Sequence, residues 1–132
     1  MSVIAASSVK TLTTPWTGEV SSQKHQYLTD KPTSFGGQDL GPAPYDFLTA
    51  GLASCTMITL RMYADHKKLE FGEFTVDVDF HANREGEEWI ERRLRFTQAL
   101  PEELKSKILA ICQKTPVTKT LLRSVEINTK IV

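Results

Sequence analysis

Few residues of this chain are of a type that could perform chemistry, and they are widely spaced. The chain has two cysteines, Cys55 and Cys112, and three histidines, His25, His66 and His81. No histidine stands at ligand spacing from another histidine or a cysteine, so no metal site is predicted. The glycines form neither a phosphate-binding loop nor a G-x-S-x-G nucleophile turn. Thiol chemistry is the reactive option that remains.

Cys55 has two interpretations from its spacing. It lies on a stripe that repeats with helical periodicity, formed by Leu48, Gly51, Leu52, Cys55, Thr59 and Met62. A free cysteine on such a stripe often behaves as a small, buried hydrophobic residue. A reactive thiol needs exposure and a lowered pKa instead. Periodicity leaves both interpretations open.

The element that positions Cys55 is predicted to be a long helix from Pro44 to about Lys67 or Lys68. Proline suits the first helical turn, and Asp46 places a negative charge near the positive end of the helix dipole. The lysines suit its negative end. The preceding loop, residues 30–44, is long for a connection without regular structure, and such loops are often functional.

The remaining elements predict an α+β fold in a single domain, residues 1–132. Alternation, turn residues and helix-start signals predict strands at 9–14 and within 19–29, a hairpin of 74–80 and 89–96, a helix from Pro101, a short helix from Thr115-Pro116 to Leu122, and a last strand at 125–132.

Composition excludes several classes of function. Sixteen basic side chains balance sixteen acidic ones, which argues against nucleic-acid binding and against electrostatic membrane binding. No apolar run approaches the ~20 residues of a membrane span. Residues 1–10 lack a secretory signal pattern. Two distant cysteines make no disulfide framework, so we expect a cytoplasmic protein with reduced thiols.

A specific motif surrounds Cys55. The run of residues 36–55 reads GGQDLGPAPYDFLTAGLASC. It resembles the OsmC/Ohr family, the osmotically inducible and organic hydroperoxide resistance proteins, and the match continues through residue 64. The order of predicted elements agrees across nearly the whole chain.

The resemblance implies an OsmC-like fold, with antiparallel sheets packed around a long central helix and a second helix. It implies an intertwined homodimer with each active site at the interface. It also implies thiol-dependent, peroxiredoxin-like reduction of small organic hydroperoxides without a metal or an organic cofactor. Cys55 stands in the position of the nucleophile, which would become a sulfenic acid.

The sequence departs from the family pattern at the second cysteine. Thr115 stands where a C-P-V-H-like segment would begin. Threonine can keep the helix-capping role, but it has no redox chemistry, so turnover would need an external thiol reductant. Cys112 could be a displaced resolving thiol. Its place near the negative end of a helix favours an ordinary packed cysteine with a raised pKa.

The acidic and cationic residues that would support a reactive thiol in the family are also absent from their usual positions in this sequence. Tyr45 stands where peroxidase members carry a glutamate, and Asp46 follows it. Asp46 is a candidate catalytic acid, or simply a favourable charge at the helix start. No arginine precedes Arg61, and Lys24 and His25 are the cationic candidates in the N-terminal strands. Arg61 is about 120° around the helix from Cys55, so it would act across a dimer interface or form a structural ion pair.

Two functions therefore compete. The leading hypothesis is an oxidative-stress protein that reduces organic hydroperoxides through Cys55. The alternative is a catalytically inactive dimer of the same fold that binds a small apolar ligand. The retained cysteine favours the first hypothesis, and the lost second cysteine and N-terminal arginine favour the second.

Overall fold

The computed structural model describes residues 2–132, which form two compact units that divide between Leu48 and Thr49. The first unit contains a three-stranded antiparallel meander with neighbours in chain order. Its strands are β1 (Ser7–Thr11), β2 (Gly18–Ser22) and β3 (His25–Thr29).

The meander lies close to the predicted strands, with shifted boundaries. Ser22 pairs with His25, so the turn between the two strands falls at residues 23–24. Gln23 takes a left-handed conformation there, with φ 53°. At the other end of β2, a Cβ on Gly18 would come within 2.6 Å of the Val9 side chain. This close approach explains why a glycine begins the strand.

A buried carboxylate organises the loop that follows β3. Asp30 is 2% exposed, and it accepts backbone N–H groups from Lys31 at 2.7 Å, Gln38 at 3.2 Å and Leu40 at 3.3 Å. The segment is therefore not structureless, and it includes a 3-10 turn at Thr33–Phe35. Burial acts to raise the pKa of Asp30, but the three N–H donors, with a smaller contribution from the Thr17 hydroxyl, outweigh it and lower the pKa below its ordinary value.

We expect Asp30→Asn to destabilise the loop and to reduce the pH dependence of stability. Because the pKa of Asp30 is lower in the folded state, its stabilisation is complete above the unfolded pKa, about 4. It is lost as the pH falls through the folded pKa. Urea denaturation between pH 2 and 6 should show a smaller acid-dependent loss for Asp30→Asn than for the wild type. Equal losses would show that Asp30 titrates alike in both states.

The second unit contains most of the long helix, a β-hairpin and two further helices. Helix α1 spans Pro44–Lys67 and begins in the first unit. The others are β4 (Phe74–Ala82), β5 (Glu88–Phe96), α2 (Glu102–Cys112) and α3 (Pro116–Leu122). Strands β4 and β5 are antiparallel. These boundaries confirm the predicted helix around Cys55, the hairpin and both later helices.

The packed face of α1 is not the predicted stripe. The buried residues are Leu52, Thr56, Leu60 and Ala64, spaced by four residues. Met62 belongs to the predicted stripe but is 66% exposed. Periodicity detects that a helix is amphipathic, but this helix carries apolar residues on two adjoining faces, and packing within the chain covers only one.

The core of the second unit lies between α1, α2 and the hairpin. Its buried members are Leu60, Ala64, Phe71, Ile108 and Cys112. Aromatic rings of the hairpin extend this core, and the centroids of Phe74 and Phe96 lie 5.1 Å apart. The alternation of β4 and β5 thus places one side of the hairpin against the helices.

The predicted last strand, residues 125–132, is wrong within the described chain. This segment forms no strand, and its alternating apolar side chains are exposed, with Ile127 at 84%. Alternation indicates which side of a strand would be buried, but a strand also needs a neighbour to accept its backbone hydrogen bonds. No strand of residues 2–132 pairs with it.

Candidate functional site

The two thiols lie in different environments. Cys55 is a free, partly buried cysteine in the middle of α1. Cys112 is buried at the last residue of α2. Burial raises the pKa of the Cys112 thiol, although the Arg92 guanidinium opposes that rise. The predicted direction is right, but burial is the main cause. The thiolate form of Cys112 is therefore disfavoured, which makes it a poor resolving thiol.

Thr115 is the N-cap of α3, as predicted. Its hydroxyl accepts the backbone N–H of Thr118 at 3.3 Å, and the two threonine hydroxyl oxygens lie 2.6 Å apart. Thr115 is fully buried, at 0% exposed. The position that resembles the family's second cysteine therefore keeps its structural role and holds no thiol.

Arg92 joins this cap to α1 and α2. Its Nη1 donates to Thr56 Oγ1 at 3.0 Å and to Thr118 Oγ1 at 2.9 Å. Its Nη2 donates to the Cys112 carbonyl oxygen at 2.9 Å. The Thr118 hydroxyl donates to the same carbonyl at 3.1 Å. One guanidinium thus bonds to acceptors on three helices.

Sequence reasoning missed this network, although a signal was present. In β5 the side chains of Glu91, Arg93 and Arg95 alternate on the exposed face. Arg92 lies on the opposite face of the strand, together with Ile90 and Leu94. Like them, it is partly buried. An arginine at an inward-facing strand position needs internal acceptors, and that requirement could have singled it out.

Two substitutions of Thr115 should distinguish the contribution of its hydroxyl to stability from that of its methyl group. Thr115→Val should lower the free energy of unfolding by about 2 kcal/mol, since it removes the cap and an internal partner of Thr118. Thr115→Ser keeps the oxygen and should cost about half as much. Amide exchange at Thr118 should accelerate in Thr115→Val only. Equal exchange in both variants would show that the hydroxyl does not protect this turn.

Asp46 has a structural explanation. Its Oδ2 accepts the backbone N–H of Ala43 at 2.8 Å, and its own backbone N–H donates to the Ala43 carbonyl at 2.9 Å. This reciprocal pair closes the first turn of α1. The catalytic role of Asp46 stays a prediction. Lys24 lies in the turn between β2 and β3, and His25 begins β3.

Arg61 lies on α1 beside apolar side chains. It lines a cavity of about 720 Å³ with Met57, Ile58 and Met62 among other residues. Cys55 does not line this cavity. This position agrees with the prediction that Arg61 and Cys55 point in different directions around the helix. The structure therefore gives no support to a direct contact of Arg61 with the thiol within one chain.

Residues 2–132 contain neither a metal-binding cluster nor a membrane-spanning helix. No group of three or more histidine, cysteine, aspartate or glutamate side chains is arranged to hold a metal ion. No helix in this part of the chain is long and apolar enough to cross a membrane.

Solved structures share this fold. A Psychrobacter arcticus protein described as an osmotic stress induced and detoxification response protein superposes with a TM-score of 0.75 at 18% identity, covering 91% of this chain and 90% of its own. An OsmC-like protein from Mycoplasma pneumoniae gives 0.71 at 18%, covering 92% and 89%. The organic hydroperoxide resistance protein OsmC from Legionella pneumophila gives 0.66 at 16%, covering 90% and 89%.

The sequence comparisons point the same way. No curated protein matches the chain significantly. Residues 36–130 match the family described as OsmC-like protein, and this region includes α1, the hairpin, α2 and α3. With most of its length matched and the same fold in its structural neighbours, the chain belongs to the OsmC-like protein family.

Proposed function

We propose that this protein reduces organic hydroperoxides through the thiol of Cys55. The observation that carries the proposal is the contrast between the two cysteines: Cys55 is free and partly exposed on α1, whereas Cys112 is buried. Family membership supports the proposal, and the name of the Legionella pneumophila neighbour refers to organic hydroperoxide resistance. A peroxide needs access to sulfur, and only Cys55 offers it.

The reaction is a two-electron transfer from sulfur to the peroxide. The Cys55 thiolate attacks the terminal oxygen of the hydroperoxide, an S–O bond forms, and the O–O bond breaks. The leaving alkoxide takes up a proton and departs as an alcohol. Cys55 is left as a sulfenic acid, oxidised by two electrons.

Turnover then uses an external thiol. A first thiol condenses with the sulfenic acid, which releases water and forms a mixed disulfide. A second thiol attacks this disulfide, restores the Cys55 thiol and leaves as the external disulfide. An external reductant is needed because Thr115 has no sulfur and burial raises the pKa of Cys112.

Intact-mass spectrometry tests the oxidation step. Reduced protein is mixed with one equivalent of cumene hydroperoxide and sampled within seconds, with and without a small thiol. We expect one added oxygen at Cys55, replaced by a thiol adduct when the thiol is present. A Cys55–Cys112 disulfide would contradict the external-thiol step. If Cys55 stays reduced, the peroxidase proposal fails.

The competing function is ligand binding without peroxide chemistry. It is favoured by Thr115, whose buried hydroxyl bonds to Thr118 and has no redox chemistry. Under this function the same oxidation experiment leaves Cys55 reduced, and a small apolar ligand binds saturably to the untreated protein.

We also propose a homodimer of chains that each form one OsmC-like domain, acting in the cytoplasm where thiols stay reduced. The apolar residues that α1 leaves exposed or partly exposed support this assembly. Gly51, Ile58 and Met62 follow a heptad spacing, and a Cβ on Gly51 would meet nothing within 4 Å. A second α1 could approach closely here. The exposed alternating segment 125–132 is a second element that a partner chain could pair with.

Light scattering during size-exclusion chromatography tests the dimer. We expect about twice the chain mass of 14.8 kDa for the wild type, and a shift toward monomer for Met62→Glu, because a carboxylate would enter an apolar contact. Lys67→Glu, at the exposed end of the same helix, should remain dimeric. A monomeric wild type at micromolar concentration would rule the assembly out.

A further inference from the structure

The second unit carries an open trough along β5 and α2. It consists of two adjoining cavities of about 410 and 550 Å³. Arg92, Leu94 and Leu109 line both cavities, so these side chains stand where the two meet. Cys55 lines neither cavity. Each volume is in the range of small-molecule sites.

The walls of the trough are mainly apolar. They include Leu52, Ile90, Phe96, Leu100, Ile108 and Leu121. Leu109 is 61% exposed. These walls would accommodate an aliphatic chain, and removing that chain from water would contribute favourable free energy to its binding.

Arg92 is the charged residue that lines both cavities, whereas Glu91 lines only one of them and Lys105, which pairs with Glu102 at 3.2 Å, lines only the other. The guanidinium of Arg92 donates to two hydroxyl groups and one carbonyl, all neutral. Among residues 2–132 no carboxylate lies within 4.0 Å of its guanidinium. Its neighbours in β5 differ, since Arg93 pairs with Asp79 and Arg95 with Asp77. A partly buried cation without an anion is unfavourable, so the trough is electrostatically suited to an anionic ligand.

The donors that Arg92 leaves unused have the geometry for a carboxylate. A guanidinium has five N–H groups, and three of those of Arg92 are used, two on Nη1 and one on Nη2. The remaining two are on Nε and Nη2. Arg95 donates to the Asp77 carboxylate through the same two atoms, from Nε to Oδ2 at 2.6 Å and from Nη2 to Oδ1 at 3.1 Å. The free edge of Arg92 can therefore bind a carboxylate through two parallel hydrogen bonds.

We propose that this trough binds an amphipathic organic anion, a carboxylate attached to an aliphatic chain. The carboxylate lies against the Nε and Nη2 edge of Arg92, and the chain runs along Leu94 and Leu109. The site is separate from the thiol chemistry proposed for Cys55 and does not depend on it.

Calorimetric titration of the full chain with octanoate tests the site, with octan-1-ol as the neutral probe of equal length. We expect saturable binding of one octanoate per chain, at least about tenfold tighter than octan-1-ol, because the alcohol lacks the charge. Cys55→Ser should bind octanoate like the wild type. Equal affinities of the two probes would overturn the role of Arg92.

Variants at Leu109 keep the test valid if an Arg92 variant fails to fold. Leu109 is exposed, so Leu109→Glu and Leu109→Gln should both fold. The glutamate should weaken octanoate binding about tenfold more than the glutamine does, while octan-1-ol should not distinguish them. Arg92→Met, if folded by circular dichroism, should lose the preference for octanoate.

Other occupants of the trough would give different results. Binding of sulfate as tight as that of octanoate would show a simple anion site and overturn the amphipathic ligand. No octanoate binding, with amide exchange at residues 92–94 and 109 slowed as protein concentration rises, would show that a second copy covers the trough. That result would also overturn the proposal.

Discussion

Cys55→Ser will lose catalytic reduction of organic hydroperoxide, and Cys112→Ser will retain most of it. A serine hydroxyl is not ionised near neutral pH and cannot form the sulfenic acid on which turnover depends. Cys112 is buried with a raised pKa, so its removal leaves the reactive thiol unchanged. The measurement is the loss of cumene hydroperoxide with excess dithiothreitol. The rate with Cys55→Ser should fall to that of the reductant alone.

The two single variants control for each other, because each removes one sulfur atom from a chain with two cysteines. Circular dichroism and unfolding by urea should show that both fold. A Cys112→Ser variant as inactive as Cys55→Ser would mean that Cys112 takes part in resolution. Full activity in Cys55→Ser would remove the thiol of α1 from the mechanism.

Leu60→Ala will lower the free energy of unfolding by about 3 kcal/mol, near the middle of the range for buried leucines. Leu60 is fully buried in the core that α1 shares with Ile108 and Cys112. The loss combines the transfer energy of the removed methyl groups with the cavity left among side chains that cannot close around it. Urea denaturation at one fixed protein concentration measures it, since assembly would add to the apparent stability.

Leu109→Ala is the matched control for Leu60→Ala. It deletes the same atoms from an exposed position of α2, and should cost less than about 1 kcal/mol. Losses of similar size in both variants would contradict the assignment of Leu60 to the core.

Local rules predicted much of the second unit. Pro44 and the apolar periodicity predicted α1, and Thr115-Pro116 predicted the start of α3. Strict alternation predicted the β4–β5 hairpin. These signals work because each depends on neighbours within one turn or one strand, where the chain itself supplies the partner.

Predictions that needed a distant partner were less successful. The stripe through Met62 was expected to pack, but only Leu52 of that stripe is buried, together with Thr56, Leu60 and Ala64. The alternation of residues 125–132 was expected to make a strand, but no described strand pairs with it. In both cases the pattern identified an apolar face, and only the three-dimensional contacts show whether one chain can cover it.

The candidate site divides in the same way. The motif around Cys55 and the threonine at 115 were readable in the sequence by itself, because they are single positions in a recognisable order. Only the tertiary structure decided that Arg92, Thr56, Thr118 and the Cys112 carbonyl meet. These groups are separated by up to 62 positions in the sequence (56 to 118). A hydrogen bond depends on distance and angle in space, and chain separation encodes neither.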